Sequence, residues 1–134
     1  RKIDGHDISG LLLGGKLAKS PYDAFYYYER DQLQAVRSGP WKLFLPLKEF
    51  TKHPHFKRGA ESYEDGSHPL LFNVVLDVDC SDDCSADQPE IVARLSNLAE
   101  DARADLGDRE RPGNGQRQPG KVQNPSPLLL KSSD

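Results

Sequence analysis

Apolar and polar positions alternate over short stretches in the first part of the chain and switch to a helical period towards its end. Residues 24–29 (AFYYYE) are rich in aromatics and predict a strand. Residues 30–32 (RDQ) form a turn. Residues 33–37 (LQAVR) predict a second strand with Leu33, Ala35 and Arg37 on one face. Ser38-Gly39-Pro40 is another turn signal. Residues 41–45 (WKLFL) predict a third strand with Trp41, Leu43 and Leu45 on one face, and residues 70–75 (LLFNVV) a fourth. Short connections join the first three strands as an antiparallel meander.

Helical signals bracket the strands. Asp7 caps a single turn over residues 8–13, which Gly14 ends. After the acidic stretch 77–87, Asp87 and Glu90 have capping-box spacing, and Pro89 sits where its missing N–H does no harm. Ile91, Leu95, Leu98, Ala102 and Leu106 then make one apolar stripe, and Gly107 ends it. The expected fold is α+β: a four-stranded antiparallel sheet, one C-terminal helix packed on it, and a disordered C-terminal tail.

Composition limits the function. The 134 residues suit one small domain, with a lean core at 36% hydrophobic and 29% charged. A formal charge of -3 argues against a nucleic-acid partner. No run of about 18 apolar residues exists, so no membrane-spanning helix is expected. The chain begins at Arg1 and contains no Met, as expected of a processed chain or a piece of a longer one. Charge is uneven: residues 108–134 carry a net +2 against -5 for residues 1–107. Residues 108–134 also hold four prolines and three glycines around one apolar cluster, Leu128-Leu129-Leu130. The expected division is a folded subdomain over 1–107 and a Pro/Gly-rich disordered tail over 108–134, in which Leu128–Leu130 reads as a short docking motif or as plain disorder.

Several patterns resemble sites and fail a spacing test. His53-Pro54-His55 with His68 lacks a third metal ligand at a fixed offset, so a solvated loop over 46–68 is the simpler reading. Asp77 to Asp87 has the composition of a calcium loop, but Asp82 and Gln88 stand where an EF-hand needs Gly and Glu. Cys80 and Cys84 read equally as a disulfide or as two free thiols. No G-x-S-x-G or H-E-x-x-H occurs, which argues against a self-sufficient hydrolase. No metal site is expected within the chain.

Four pieces in order resemble one family. Ile3-Asp4-Gly5-His6-Asp7 with Leu11-Leu12 is similar to the "DG-x-D…LL-x-G" start of the sulfatase C-terminal subdomain. Tyr26-Tyr27 followed by residues 33–43 (LQAVRSGPWKL) resembles its "YY…L-x-AVR-x-G-x-WKL" hairpin. Leu71-Phe72-Asn73-Val74 resembles the "LY(D/N)L" strand, and residues 88–95 (QPEIVARL) the "PE-x-V-x-(R/K)L" helix start. The resemblance covers roughly residues 3–106 and leaves the tail outside. One stretch departs from it: of "D-P-x-E-x-x-N-L" only Asp77 is kept, and Val78 replaces the proline.

The resemblance implies a role in hydrolysing sulfate esters, of aryl compounds or carbohydrates. It implies an N-terminal catalytic domain as partner, in which a formylglycine nucleophile and a calcium ion reside. No Cys or Ser here lies in a C/S-x-P-x-R motif, so this chain alone is expected to be inactive, with no catalytic residue and no cofactor of its own. The implied role is structural and substrate-framing, in a periplasmic, lysosomal or secreted protein. Tyr26, Tyr27 and Tyr28 alternate across a strand, so that Tyr27 faces away from its neighbours. They pack in the core or at a domain interface, or stack on a sugar. Arg37 makes an ion pair or holds a sulfate or carboxylate. Trp41 reads as core and Lys42 as solvated. Lys48, Lys52, Lys57 and Arg58 in the long loop offer diffuse attraction to a sulfated glycan. The competing class is a non-catalytic glycan- or protein-binding module.

Overall fold

The computed structural model of the protein describes residues 5–14, 17–47, 68–109, 111–117 and 120–125. A four-residue helix α1 (Ser9–Leu12) leads to strands β1 (Phe25–Glu29), β2 (Gln32–Ser38), β3 (Trp41–Phe44) and β4 (Leu70–Asn73). Helix α2 (Pro89–Leu106) follows, then the two-residue strands β5 (Gly107–Asp108) and β6 (Arg111–Pro112). The main sheet has the order β1-β2-β3-β4, antiparallel at every step. The α+β class, the meander and the C-terminal helix are those expected from the hydrophobic pattern.

The helix covers one face of the sheet. Leu95, Ala99 and Ala102 of α2 close over Leu33, Val36, Leu43, Leu45 and Leu71, all buried, with Tyr26, Tyr28 and Trp41 at the edges. Ala99 belongs to the contact although the apolar stripe read from sequence omitted it, while Leu106 stays 46% exposed. The opposite face carries Ala35, Phe44, Leu70 and Phe72, flanked by Tyr27, Val74 and Cys80.

One expectation fails at β2. Tyr27 pairs with Ala35, but Tyr28 pairs with Leu33, so Gln34 is an extra residue opposite the β1 ladder. This β-bulge breaks the period of two. Leu33 therefore points under the helix while Ala35 and Arg37 face the other way, not all three together. Gln34 is 2% exposed. Its amide nitrogen donates to Glu29 Oε2 at 2.9 Å, and its carbonyl accepts the Leu45 N–H at 2.9 Å. The bulge is thus paired on both sides.

The helix ends also differ from expectation. At α1 the N-cap is Ile8, with no side-chain capping bond, and not the expected Asp7; Asp7, one position earlier, still accepts the Ser9 N–H on Oδ1 at 2.8 Å. At α2 the N-cap is Gln88, with no side-chain capping bond. The expected Asp87 cap is displaced because the N–H groups of both Asp87 and Gln88 bond the Cys84 carbonyl in a turn. Pro89 removes one of the donors a cap would serve. At the other end Gly107 adopts φ +94°, and a Cβ there would lie 2.7 Å from the Arg111 carbonyl oxygen.

Beyond Gly107 the chain turns back. β5 and β6 pair, and the N–H groups of Asn114 and Gly115 bond the Ala104 and Asp105 carbonyls at 2.8 and 2.7 Å. These carbonyls are among those a helix C-terminus leaves open. The Arg109 N–H bonds the Asp31 carbonyl at 2.8 Å, and Asp108 Oδ1 accepts the Leu33 N–H at 3.1 Å. Asp108, Arg109, Asn114 and Gly115 of the expected tail are thereby held to the helix and to the β1–β2 hairpin. Backbone hydrogen bonds do this, not apolar burial, so composition gave no sign of it. Residues 120–125 are exposed and belong to no element. Leu128–Leu130 lie outside the described residues.

Candidate functional site

The four residues expected to frame a ligand divide between the two faces of the sheet. Tyr26 and Tyr28 lie on the helix side. Tyr28 Oη donates to the Gly107 carbonyl at 2.9 Å, and burial pushes both phenols up from their ordinary pKa, helped by Asp101 at Tyr26 and Asp108 at Tyr28. These two tyrosines pack the core. Tyr27 and Arg37 lie on the face away from the helix. There the register places Arg37 between Phe25 of β1 and Lys42 of β3.

That outer face has a distinct chemistry. The Phe25 and Tyr27 rings meet edge to face with centroids 5.0 Å apart. Lys42 Nζ stands 4.4 Å from the Tyr27 centroid and 4.5 Å from that of Phe44. Burial lowers the Lys42 pKa, opposed in part by Cys80, which raises it, and assisted by the Arg37 charge, which lowers it. Lys42 is thus not the solvated residue that its place beside Trp41 suggests. Arg37 is exposed, and its Nε donates to the Gly39 carbonyl at 3.2 Å. A groove of about 500 Å³ runs past Ser20, Tyr22, Phe25, Tyr27, Arg37 and Gly39.

A second groove, of about 440 Å³, lies beside the end of α2 and is lined by Glu100, Arg103, Asp108 and Arg111. Its charges are used internally. Arg103 Nε meets Asp108 Oδ2 at 2.6 Å, Arg103 Nη1 meets Glu100 Oε1 at 2.6 Å, and Arg111 Nη1 meets Glu100 Oε2 at 2.8 Å. This network joins helix to hairpin and is structural.

The remaining candidates are quickly placed. Cys80 and Cys84 are free thiols, both pushed up chiefly by burial, so the disulfide alternative is not realised. Asp77 accepts the Ser81 and Asp82 N–H groups at 2.8 and 3.0 Å, which fixes the turn that lacks the family's proline. Among the described residues no group of His, Cys, Asp or Glu is arranged to hold a metal ion. His53, His55, Lys48, Lys52, Lys57 and Arg58 lie outside the described residues.

The family model for the C-terminal region of aryl-sulfatase matches residues 20–126. The chain belongs to this aryl-sulfatase C-terminal family. The match begins after the Ile3–Leu12 piece of the resemblance and runs through the hairpin into residues that the resemblance left outside. Among solved structures, the fold resembles a sulfatase from Bacteroides thetaiotaomicron, described in work on its metabolism of multiple glycosaminoglycans. The two share 24% identity at a TM-score of 0.57. The alignment covers 75% of this chain and 20% of that one, so this sulfatase C-terminal region corresponds to a fifth of that chain's length. No curated protein matches the sequence. No helix among the described residues is long and apolar enough to cross a membrane.

Proposed function

We propose that this chain serves as the C-terminal part of a sulfatase that hydrolyses sulfate esters of aryl compounds or carbohydrates. In this reading it packs on an N-terminal catalytic domain and supplies one wall of the substrate cleft. Formylglycine and calcium belong to that other domain. This chain carries no C/S-x-P-x-R sequence, and in this reading the catalytic steps take place on the other domain. The family match over residues 20–126 carries the reading.

Two features of the surface support it. Leu11, Leu12, Leu13 and Leu17 are 43%, 76%, 86% and 93% exposed, and α1 buries no residue. Such a run of open leucines fits a segment that packs against another domain. The outer sheet face, with Phe25 63% exposed beside Tyr27 and Arg37, has the stacking surface and the guanidinium that a sulfated sugar requires. The glycosaminoglycan context of the Bacteroides sulfatase favours a sulfated carbohydrate over an aryl ester. A periplasmic, lysosomal or secreted location accompanies this function.

The test is to express the in-frame coding sequence that precedes Arg1 together with this chain. Sulfate release is then measured from p-nitrophenyl sulfate and from sulfated oligosaccharides. Release by the joined polypeptide, and none by residues 1–134 alone, is expected. An absence of release, together with saccharide or protein binding by the chain alone, moves the assignment to a non-catalytic binding module.

A further inference from the structure

The register sets Arg37 and Lys42 directly opposite each other on β2 and β3, on the sheet face away from the helix. Like charges in that position repel. Among the described residues neither side chain meets a carboxylate. Asp23, which also lines the groove, forms no ion pair with either. Arg37 uses only Nε, towards the Gly39 carbonyl, which leaves both Nη groups for a ligand. Lys42 Nζ rests against the Tyr27 and Phe44 rings, which attract its charge but accept none of its three N–H bonds in the manner of an oxygen. Half-buried cations are normally paired. Lys42 is half-buried without an oxygen acceptor, and the exposed Arg37 beside it bonds only the Gly39 carbonyl; with two aromatic rings and the groove of about 500 Å³ that Arg37 lines, they match the requirements of a bound anion.

We propose that Arg37 and Lys42 form an oxyanion site for a sulfate or carboxylate group carried by a saccharide, whose ring stacks on Tyr27 and Phe25. The inference rests on the sulfated-carbohydrate reading above and extends it. The site lies on a chain that carries no C/S-x-P-x-R sequence, so in this proposal it grips an anionic substituent other than the one cleaved. The Arg37 fork takes two oxygens in its plane, and Lys42 supplies a point charge from the neighbouring strand. The rings give the sugar a face to lie on, so binding depends on both charge and ring.

The experiment titrates the 134-residue chain with a chondroitin 4-sulfate tetrasaccharide, its chemically desulfated counterpart and inorganic sulfate. The sulfated tetrasaccharide is expected to bind most tightly, with affinity falling as salt rises. Arg37→Gln with Lys42→Gln is expected to weaken it at least tenfold, and Tyr27→Ala to weaken it while inorganic sulfate is unaffected. The charge-keeping pair Arg37→Lys with Lys42→Arg retains most of the binding, and circular dichroism verifies that each variant is folded. Unchanged affinity in the Gln pair overturns the site. Equal binding of the desulfated tetrasaccharide, or no saccharide binding while the Gln pair weakens union with the catalytic domain, overturns it as well. Sulfate release by the joined polypeptide is a separate readout, so failure here is distinguishable from failure of the sulfatase reading.

Discussion

The Tyr28 hydroxyl donates a hydrogen bond of 2.9 Å to the Gly107 carbonyl, joining β1 to the end of α2 across 79 positions of sequence. Gly107 is also where the helix stops, at φ +94°, and where the returning hairpin starts. Tyr28→Phe removes only the donor and is expected to cost about 0.5–1.5 kcal/mol. Gly107→Ala forces an L side chain into a left-handed region, against the Arg111 backbone, and is expected to cost about 1–3 kcal/mol. Urea unfolding of the two variants checks both values. A Gly107→Ala chain as stable as the parent would show that the hairpin is not closed as described.

The bulge at Gln34 gives a second test. Gln34 is buried, and its side-chain amide donates to Glu29. Gln34→Ala opens a gap and leaves a carboxylate without its donor. A loss of about 1–3 kcal/mol is expected, with the unfolding transition still cooperative. Deleting residue 34 restores the period of two and should swing Leu33 away from the helix. That variant is expected to bind dyes of exposed apolar surface.

Lys42 predicts a gain. Burial and the Arg37 charge lower its pKa, so the unfolded chain holds this proton more tightly than the folded one. Stability therefore rises with pH as the window between the lowered value and the ordinary lysine value is crossed. Lys42→Met removes the charge and keeps the stem. It is expected to raise Tm at neutral pH, by the equivalent of about 0.5 kcal/mol, and to flatten the alkaline rise. Loss of stability in Lys42→Met would show that the rings offset the burial of the charge.

The slope has the same sign in the acid range, where stability again rises with pH. Hydrogen bonds from the Asp82 and Ser81 N–H groups hold the Asp77 carboxyl below its usual range, and those from Arg111 and Arg103 do the same for Glu100. Their contribution is complete above the ordinary carboxylate pKa and is lost as pH falls through the lower folded values. Asp77→Asn and Glu100→Gln are each expected to reduce the slope of stability against pH in this acid window. Thermal melts at a series of acid pH values measure that slope.

How far the sequence was legible follows from which force shaped each part. The strands and α2 come from apolar periodicity, which is local, and they stand close to where the pattern placed them, with β3 ending at Phe44 and β4 at Asn73, short of the expected residues 45 and 75. The bulge was hidden because LQAVR alternates perfectly on paper, and only the packing of Leu33 under α2 shows that the period breaks at Gln34. The ordered part of the tail was hidden because its partners are backbone carbonyls of α2 and Asp31, which composition does not report. At the candidate site, alternation did separate Tyr27 from Tyr26 and Tyr28. Lys42 was missed because its neighbour Trp41 suggested a simple in-and-out pair, while its partners Tyr27 and Phe44 are set by strand register. A Lys facing an Arg across a tight Ser-Gly-Pro turn was the signal available.

The outer face of the sheet, away from α2, is proposed to frame the substrate of a sulfatase. The most direct measurement is KM for a sulfated oligosaccharide, made on the joined polypeptide and on its Arg37→Gln variant, with Arg94→Gln on the helix side as the comparison. Arg94 bonds Ser38 Oγ at 3.0 Å from the helix side and does not itself line the groove. A KM raised about tenfold by Arg37→Gln, equivalent to about 1.4 kcal/mol, is expected, with little change from Arg94→Gln. Sulfate release with the same KM in all three proteins would contradict it.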